Sequence, residues 1–216
     1  MMAGALAYEV MELLCSRLCH DLISPVGAIN NGVELVEDLG EEMAGEAMGL
    51  IAQSGRRAAG RLKCYRVAYG AAGAQATIGL DEAHEIASGY LEGGKVGLSW
   101  PSGSEWGEAG PPRGTVKVVL NAIVLAEESL PQGGRITVEF APLPAPGTIS
   151  IQAEGKAAAL RDGQAAALDG AVGGGELTAR TVHAYVTGLF ARNHGIDLQH
   201  SQVDDGRLKL QLTMAN

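Results

Sequence analysis

The 216-residue sequence predicts an α+β protein in two parts, a helical hairpin that pairs with a second copy as a four-helix bundle and then an α/β sandwich. Three observations carry this expectation. Apolar residues recur every three or four positions through the first third of the chain, the helical period. A Gly- and Ala-rich stretch at 70–79 then interrupts the pattern. Beyond it, short helical patterns are mixed with runs that alternate with period two, as half-buried strands do.

Over 6–39, Val10, Leu14, Leu18, Leu22, Pro25, Ile29, Val33 and Val36 fall on one stripe, which marks one long amphipathic helix ending near Gly40. A second helix opens with Glu41 and Glu42, acids suited to the positive end of a helix, and carries Met43, Ala47, Leu50, Ile51, Ala58, Leu62 and Tyr65 on its stripe. Arg56, Arg57, Arg61, Lys63 and Arg66 lie toward its other end, where they complement the dipole. So short a turn makes the two helices antiparallel, and two helices alone leave apolar surface uncovered, so a homodimer is expected. Residues 1–72 form this helical unit, and 76–216 form the second. The second is expected to hold a helix at 80–91, a strand at 96–100, a loop rich in Pro, Gly and Ser, and a helix at 115–130. Strands at 135–141 and 148–153 joined by a proline-rich turn follow, then helices at 157–168 and 178–193 and a last hairpin at 196–201 and 207–213.

Composition narrows the function. Hydrophobic residues make up 46% of the chain, aromatics only 4%, and 31 residues are Gly, so the core must be aliphatic. A net charge of −9 argues against nucleic acid as a partner, since phosphate backbones reward a basic surface. Three cysteines do not make a disulfide framework and suit a reducing compartment. The first 15 residues lack a basic start and are broken by Glu9 and Glu12. No apolar run approaches the ~18 residues of a membrane span. A cytoplasmic location with no membrane partner is expected.

The run His20-Asp21-Leu22-Ile23-Ser24-Pro25-Val26 places a histidine beside a carboxylate on the first helix. Neutral imidazole has a free ring nitrogen with which to accept and return a phosphoryl group near neutral pH, and an adjacent acid can hold the other nitrogen. At about 100° per residue, His20 points away from the apolar stripe and is expected to be exposed. Ser16 and Ser24 one turn away leave a shallow surface for another protein. Pro25 removes one helical hydrogen bond and crowds the carbonyl of Asp21, so a kink is expected just past the histidine.

This segment resembles the phosphorylated-histidine box of dimeric two-component sensor histidine kinases. The longer string Leu18-Cys19-His20-Asp21-Leu22-Ile23-Ser24-Pro25-Val26-Gly27-Ala28-Ile29-Asn30-Asn31-Gly32 is similar to the histidine phosphotransferases of alphaproteobacterial cell-cycle phosphorelays. The resemblance implies that His20 accepts and donates the phosphoryl group, that Asp21 is the orienting acid and base, and that Ser24 contacts water or the phosphoryl group. Arg17, one turn before His20, is placed to help neutralise the transferred phosphoryl charge. The resemblance implies as partners the receiver domain of a CckA-like hybrid histidine kinase and CtrA-like and CpdR-like response regulators, with Mg2+ supplied by the receiver. No cofactor or metal is expected on this chain itself.

The second unit resembles the ATP-binding domain of those kinases, a Bergerat-like sandwich, but departs from it where nucleotide is held. Counted from Pro131 and Gly133-Gly134, Asn121 matches the kinases' first asparagine. Leu125, however, falls on the metal-holding asparagine and Glu128 on the lysine. Leucine offers no oxygen to Mg2+. Ala153 occupies the place of the adenine-binding aspartate, and Thr181-Val182-His183-Ala184 stands where a Gly-rich loop would cradle phosphates. The expected function is therefore a phosphotransferase that shuttles phosphoryl groups between receiver aspartates, the alternatives being a residual ATP-dependent kinase and a non-catalytic dimeric adaptor. Cys15, Cys19 and Cys64 read as core or boundary thiols rather than a metal site. His84, His183, His194 and His200 read as surface or structural, and Trp100 and Trp106 as residues that pack the sandwich, the alternative being an anchor for a partner.

Overall fold

The computed structural model describes residues 2–39, 41–74, 78–101, 110–141, 147–173 and 175–214. Helices α1 (Met2–Leu39) and α2 (Glu41–Ala68) form the hairpin, and α1 runs on through Pro25. Pro25 and Gly32 are buried on α1, as are Ala47, Ser54 and Ala58 on α2. Small residues let these helices approach closely: a Cβ on Gly32 would come within 2.6 Å of Ile51 Cγ1. The predicted stripes are only partly the buried ones, since Val33, Leu50 and Leu62 are exposed. The apolar arc of each helix is too wide for one partner to cover, and part of it faces outward.

A 3-10 turn at Ala71–Ala74 leads to α3 (Leu80–Leu91), β1 (Val96–Ser99), α4 (Thr115–Glu128), β2 (Gly134–Ala141) and β3 (Thr148–Glu154). The chain ends with α5 (Gln164–Asp169), α6 (Val182–Asn193), β4 (Ile196–Asp204) and β5 (Arg207–Met214). The sheet order is β1-β2-β3-β5-β4, with β1 and β2 parallel and the other neighbours antiparallel. Inward residues alternate along β3 (Ile149, Ile151, Ala153) and β5 (Leu208, Leu210, Leu212, Met214), and the helices cover that face. Helix α4 is the centre of the core, with every residue from Thr115 to Ala126 buried. The result is the expected α/β sandwich.

Two elements differ from the sequence reading. The Ala-rich segment at 157–168 is helical only over Gln164–Asp169, because Ala157 (φ 59°) and Gly163 (φ 78°) take left-handed conformations that no helix continues through. Helix α6 begins at Val182 rather than near 178, since the Thr178 N–H donates to Thr181 Oγ1 at 3.0 Å and closes a local turn instead. Trp106 and the proline-rich turn lie outside the described residues.

The hairpin is bound to the sandwich by polar contacts at its base. The Asn121 amide donates to the carbonyls of Ala68 (2.7 Å) and Lys117 (2.8 Å), and Lys117 Nζ donates to Gly70 O at 2.7 Å. Tyr69 Oη donates to His183 Nδ1 at 2.8 Å, and the other ring nitrogen, Nε2, donates to Asn121 O at 3.0 Å. Burial holds His183 down to about 3, so it is a neutral structural group. Helix α3 lies tightly across α2, where a Cβ on Gly60 would come within 2.1 Å of Gly89 O.

Candidate active site

Helix α1 presents His20 with its side chain 89% exposed, as its position opposite the stripe requires. Its Nδ1 faces Asp21 Oδ1 at 3.4 Å, which leaves Nε2 free toward solvent. The other oxygen of Asp21, Oδ2, accepts a 2.8 Å hydrogen bond from Tyr65 Oη on α2. Two guanidiniums stand further off the same oxygen, Arg61 Nη1 at 3.9 Å and Arg17 Nε at 4.0 Å. Asp21 is thus tied on one side by the second helix and turned on the other toward the histidine.

His20 stands at the rim of a 540 Å³ cleft between the hairpin and the sandwich, with Arg17, Asp21, Glu128, Arg161 and Arg180 among its lining residues. A second, smaller groove of 180 Å³ holds His20 and Asp21 together with Ser24, Pro25, Arg57 and Arg61. All four sequence-assigned residues therefore lie at one place. Arg17 has a different environment from the one expected. It is largely buried and forms an ion pair with Glu128 at the end of α4, so its charge joins the two parts of the molecule rather than standing free beside the histidine. Burial lowers its pKa, but Glu128, Tyr69 and Asp21 together raise it by more, so it stays charged.

Glu128 is the buried half of this link. Its Oε2 also accepts from Gln164 Nε2 at 3.1 Å, while Arg161 donates to its backbone carbonyl at 3.0 Å. Burial pushes its carboxyl from 4.5 up to about 7, against the opposing pull of Arg17. The folded state then binds this proton more tightly than the unfolded chain, so stability must fall as pH rises through that interval. The expected result is an unfolding free energy that declines by on the order of 3 kcal/mol from about pH 5 to about pH 8, with Glu128→Gln removing most of that decline. Parallel declines in the two proteins would contradict this reading.

Tyr65, Arg61 and Glu128 were not singled out for this site by sequence. Tyr65 had a signal, since folding the chain back near Gly40 sets the C-terminal half of α2 beside the N-terminal half of α1. Glu128 lies 111 residues from Arg17 and had none. The positions compared with kinase nucleotide elements are occupied by packing: Leu125, Ala153 and His183 are buried and Glu128 is paired with Arg17. Cys64 is buried, its thiol pushed up to about 12 by burial, whereas Cys15 and Cys19 are exposed rather than in the core. Trp100 packs edge-on against Phe140 and stacks with His84. Among the described residues, no three His, Cys, Asp or Glu cluster as a metal site would need, and no helix is long and apolar enough to cross a membrane.

Comparison with known proteins joins this geometry to a family. Residues 80–206 match the family model for the histidine phosphotransferase C-terminal domain. The chain is similar to the protein phosphotransferase ChpT of Brucella abortus (strain 2308), 34% identical over 201 residues, 92% of this chain and 93% of that protein. The solved structure of a bacterial phosphotransferase superimposes with a TM-score of 0.79 at 30% identity, over 95% of this chain and 96% of the other.

Proposed function

This chain belongs to the histidine phosphotransferase family, and on that premise we propose that His20 is the residue that carries the phosphoryl group. The chain is a phosphotransferase of a phosphorelay. One observation supports the assignment above others: His20 is the exposed imidazole whose Nδ1 is held by a carboxylate at 3.4 Å while its Nε2 is open to a docking protein. In the forward step the Nε2 lone pair attacks the phosphorus of a receiver's aspartyl phosphate. The phosphorus–oxygen bond to the receiver breaks, and its electron pair stays on the released aspartate. The positive charge that develops on the ring sits on Nδ1–H beside Asp21. A second receiver's aspartate reverses the sequence and empties the histidine. The receiver brings its own Mg2+ to spread the charge of the loose transition state, so no step needs a metal on this chain.

In this reading the helical unit, residues 1–72, performs the transfer and forms the homodimer, while 76–216 serves as a docking platform without nucleotide chemistry. The receiver enters over the cleft between them, where Arg161 and Arg180 face an acidic receiver surface. Ser24, exposed in the smaller groove, contacts water or the phosphoryl oxygens. Arg17 acts at one remove, through its position between Asp21 and Glu128. The donor is a hybrid histidine kinase's receiver and the acceptors are response regulators of the cell cycle, all in the cytoplasm. The test is transfer of radiolabel from a phosphorylated receiver to the purified chain, followed by a chase with a second, unphosphorylated receiver. Acid-labile label that appears on the chain and leaves in the chase is expected; a chain that stays unlabelled would overturn the proposal.

A further inference from the structure

The two oxygens of Asp21 are used differently, and the difference lies in α2. Oδ1 faces His20 Nδ1, whereas Oδ2 is held at 2.8 Å by the hydroxyl of Tyr65, 44 residues away on the antiparallel helix. That bond is the only one within hydrogen-bond distance of Oδ2 among the described residues, since Arg17 Nε and Arg61 Nη1 stand 4.0 and 3.9 Å off. Tyr65 is itself fixed. It is buried, and its ring lies 5.6 Å from that of Tyr69 and 6.1 Å from that of Tyr90. Burial, the charge of Asp21 and the hydrogen bond itself hold its phenol well above the usual tyrosine range, so it remains a donor.

We propose that Tyr65 is a positioning residue for the phosphotransfer: it anchors Asp21 Oδ2 so that Oδ1 faces His20 Nδ1 and the attacking Nε2 stays unprotonated. The inference rests on the assignment of His20 and Asp21 to the reaction. The physical reason is the coupling of three groups in series. A helix carboxylate has several staggered rotamers open to it, and most of them turn it away from a neighbour on the same helix. A donor on the second helix removes that freedom and aims the free oxygen. With the proton held on Nδ1, the lone pair on Nε2 is available to phosphorus; with Nε2 protonated, it is not. The bond also ties the geometry at His20 to the packing of α1 on α2.

Tyr65→Phe keeps the ring and its aromatic neighbours and deletes only the hydroxyl, so the fold should persist. The expected result is about a tenfold slower single-turnover transfer from a saturating phosphorylated receiver, with receiver affinity unchanged, in keeping with the loss of an orienting partner. The 15N shifts of the His20 ring should move toward the Nε2-protonated tautomer, a readout that a purely structural role would not change. In an Asp21→Asn background, Tyr65→Phe should slow transfer no further. Wild-type transfer and ring shifts in Tyr65→Phe, or an equal tenfold loss in the Asp21→Asn background, would overturn the inference. Those outcomes leave the broader assignment standing; label on a His20→Ala chain would instead remove that assignment whatever Tyr65 does.

Discussion

Replacing His20 by alanine is expected to abolish uptake of label from a phosphorylated receiver, by at least about a thousandfold, while leaving the fold intact, because it removes the ring nitrogen that attacks phosphorus. The substitution is structurally mild. The side chain is 89% exposed, its one polar contact among the described residues is the 3.4 Å approach to Asp21, and alanine is the best helix former. Circular dichroism and the thermal midpoint should match the wild type within about 0.5 kcal/mol, as they do for most surface changes. The other histidines give the comparison its force. His183 is buried and neutral between Tyr69 and Asn121, and His200 stands by Asp169 on the edge strand, 3.3 Å from it. His183 has no free nitrogen, and His200 does not line the cleft that holds His20. Label retained at the wild-type level by His20→Ala would show that the phosphoryl group resides elsewhere.

The second large effect concerns assembly. Tyr8, Met11, Val26 and Val33 on α1, with Met48 and Leu62 on α2, form apolar surface that the hairpin does not bury. Taken at about 100° per residue, the four on α1 lie within a single arc, beside the face that packs on α2. Apolar patches of this extent on a monomer call for a partner. A second hairpin would cover them and complete a four-helix bundle. Val26→Glu together with Val33→Glu places charges at positions 47% and 43% exposed in the single chain, so the chain should still fold. In the dimer those charges would be buried against apolar neighbours, which weakens association by on the order of a thousandfold or more. Sedimentation should report two chains for the wild type and one for the variant. A wild-type protein that sediments as a single chain would contradict the four-helix arrangement.

How much of this was legible in the sequence depended on range. The hairpin, the 80–91 helix and all five strands could be read, because period and turn residues are local properties. The segment at 157–168 misled, since its alanines favour a helix while the left-handed backbone at Ala157 and Gly163 is imposed by the turn out of β3 and by the start of α5. The stripe on α1 was centred correctly but was taken as one face. Cys15 and Cys19, read as core or boundary thiols, instead lie beside that face in the exposed arc.

The site divides in the same way. His20 and Asp21 are sequence neighbours, and their pairing could be inferred from the helix alone. Tyr65 becomes relevant only when the hairpin register is known. The Arg17–Glu128 link is invisible until the sandwich docks on the hairpin. Glu128 illustrates the point twice. At the sequence level it marked a departure from the kinases' lysine, and in the fold that same residue is the buried partner of Arg17, one turn from His20. Leu125, Ala153 and His183, which the sequence set against kinase nucleotide elements, are buried in the core, and Glu128 joins the sandwich to α1 through Arg17.

The central claim is that His20 is loaded by a receiver and not by ATP. One measurement tests it most directly: mass-spectrometric mapping, at neutral pH, of the phosphoryl group on wild-type chain after parallel incubation with Mg2+-ATP and with a phosphorylated receiver domain. The expected result is a single phosphoryl group on the peptide containing His20 in the receiver sample and none in the ATP sample. A phosphoryl group at any other residue, or equal modification from ATP, would contradict it.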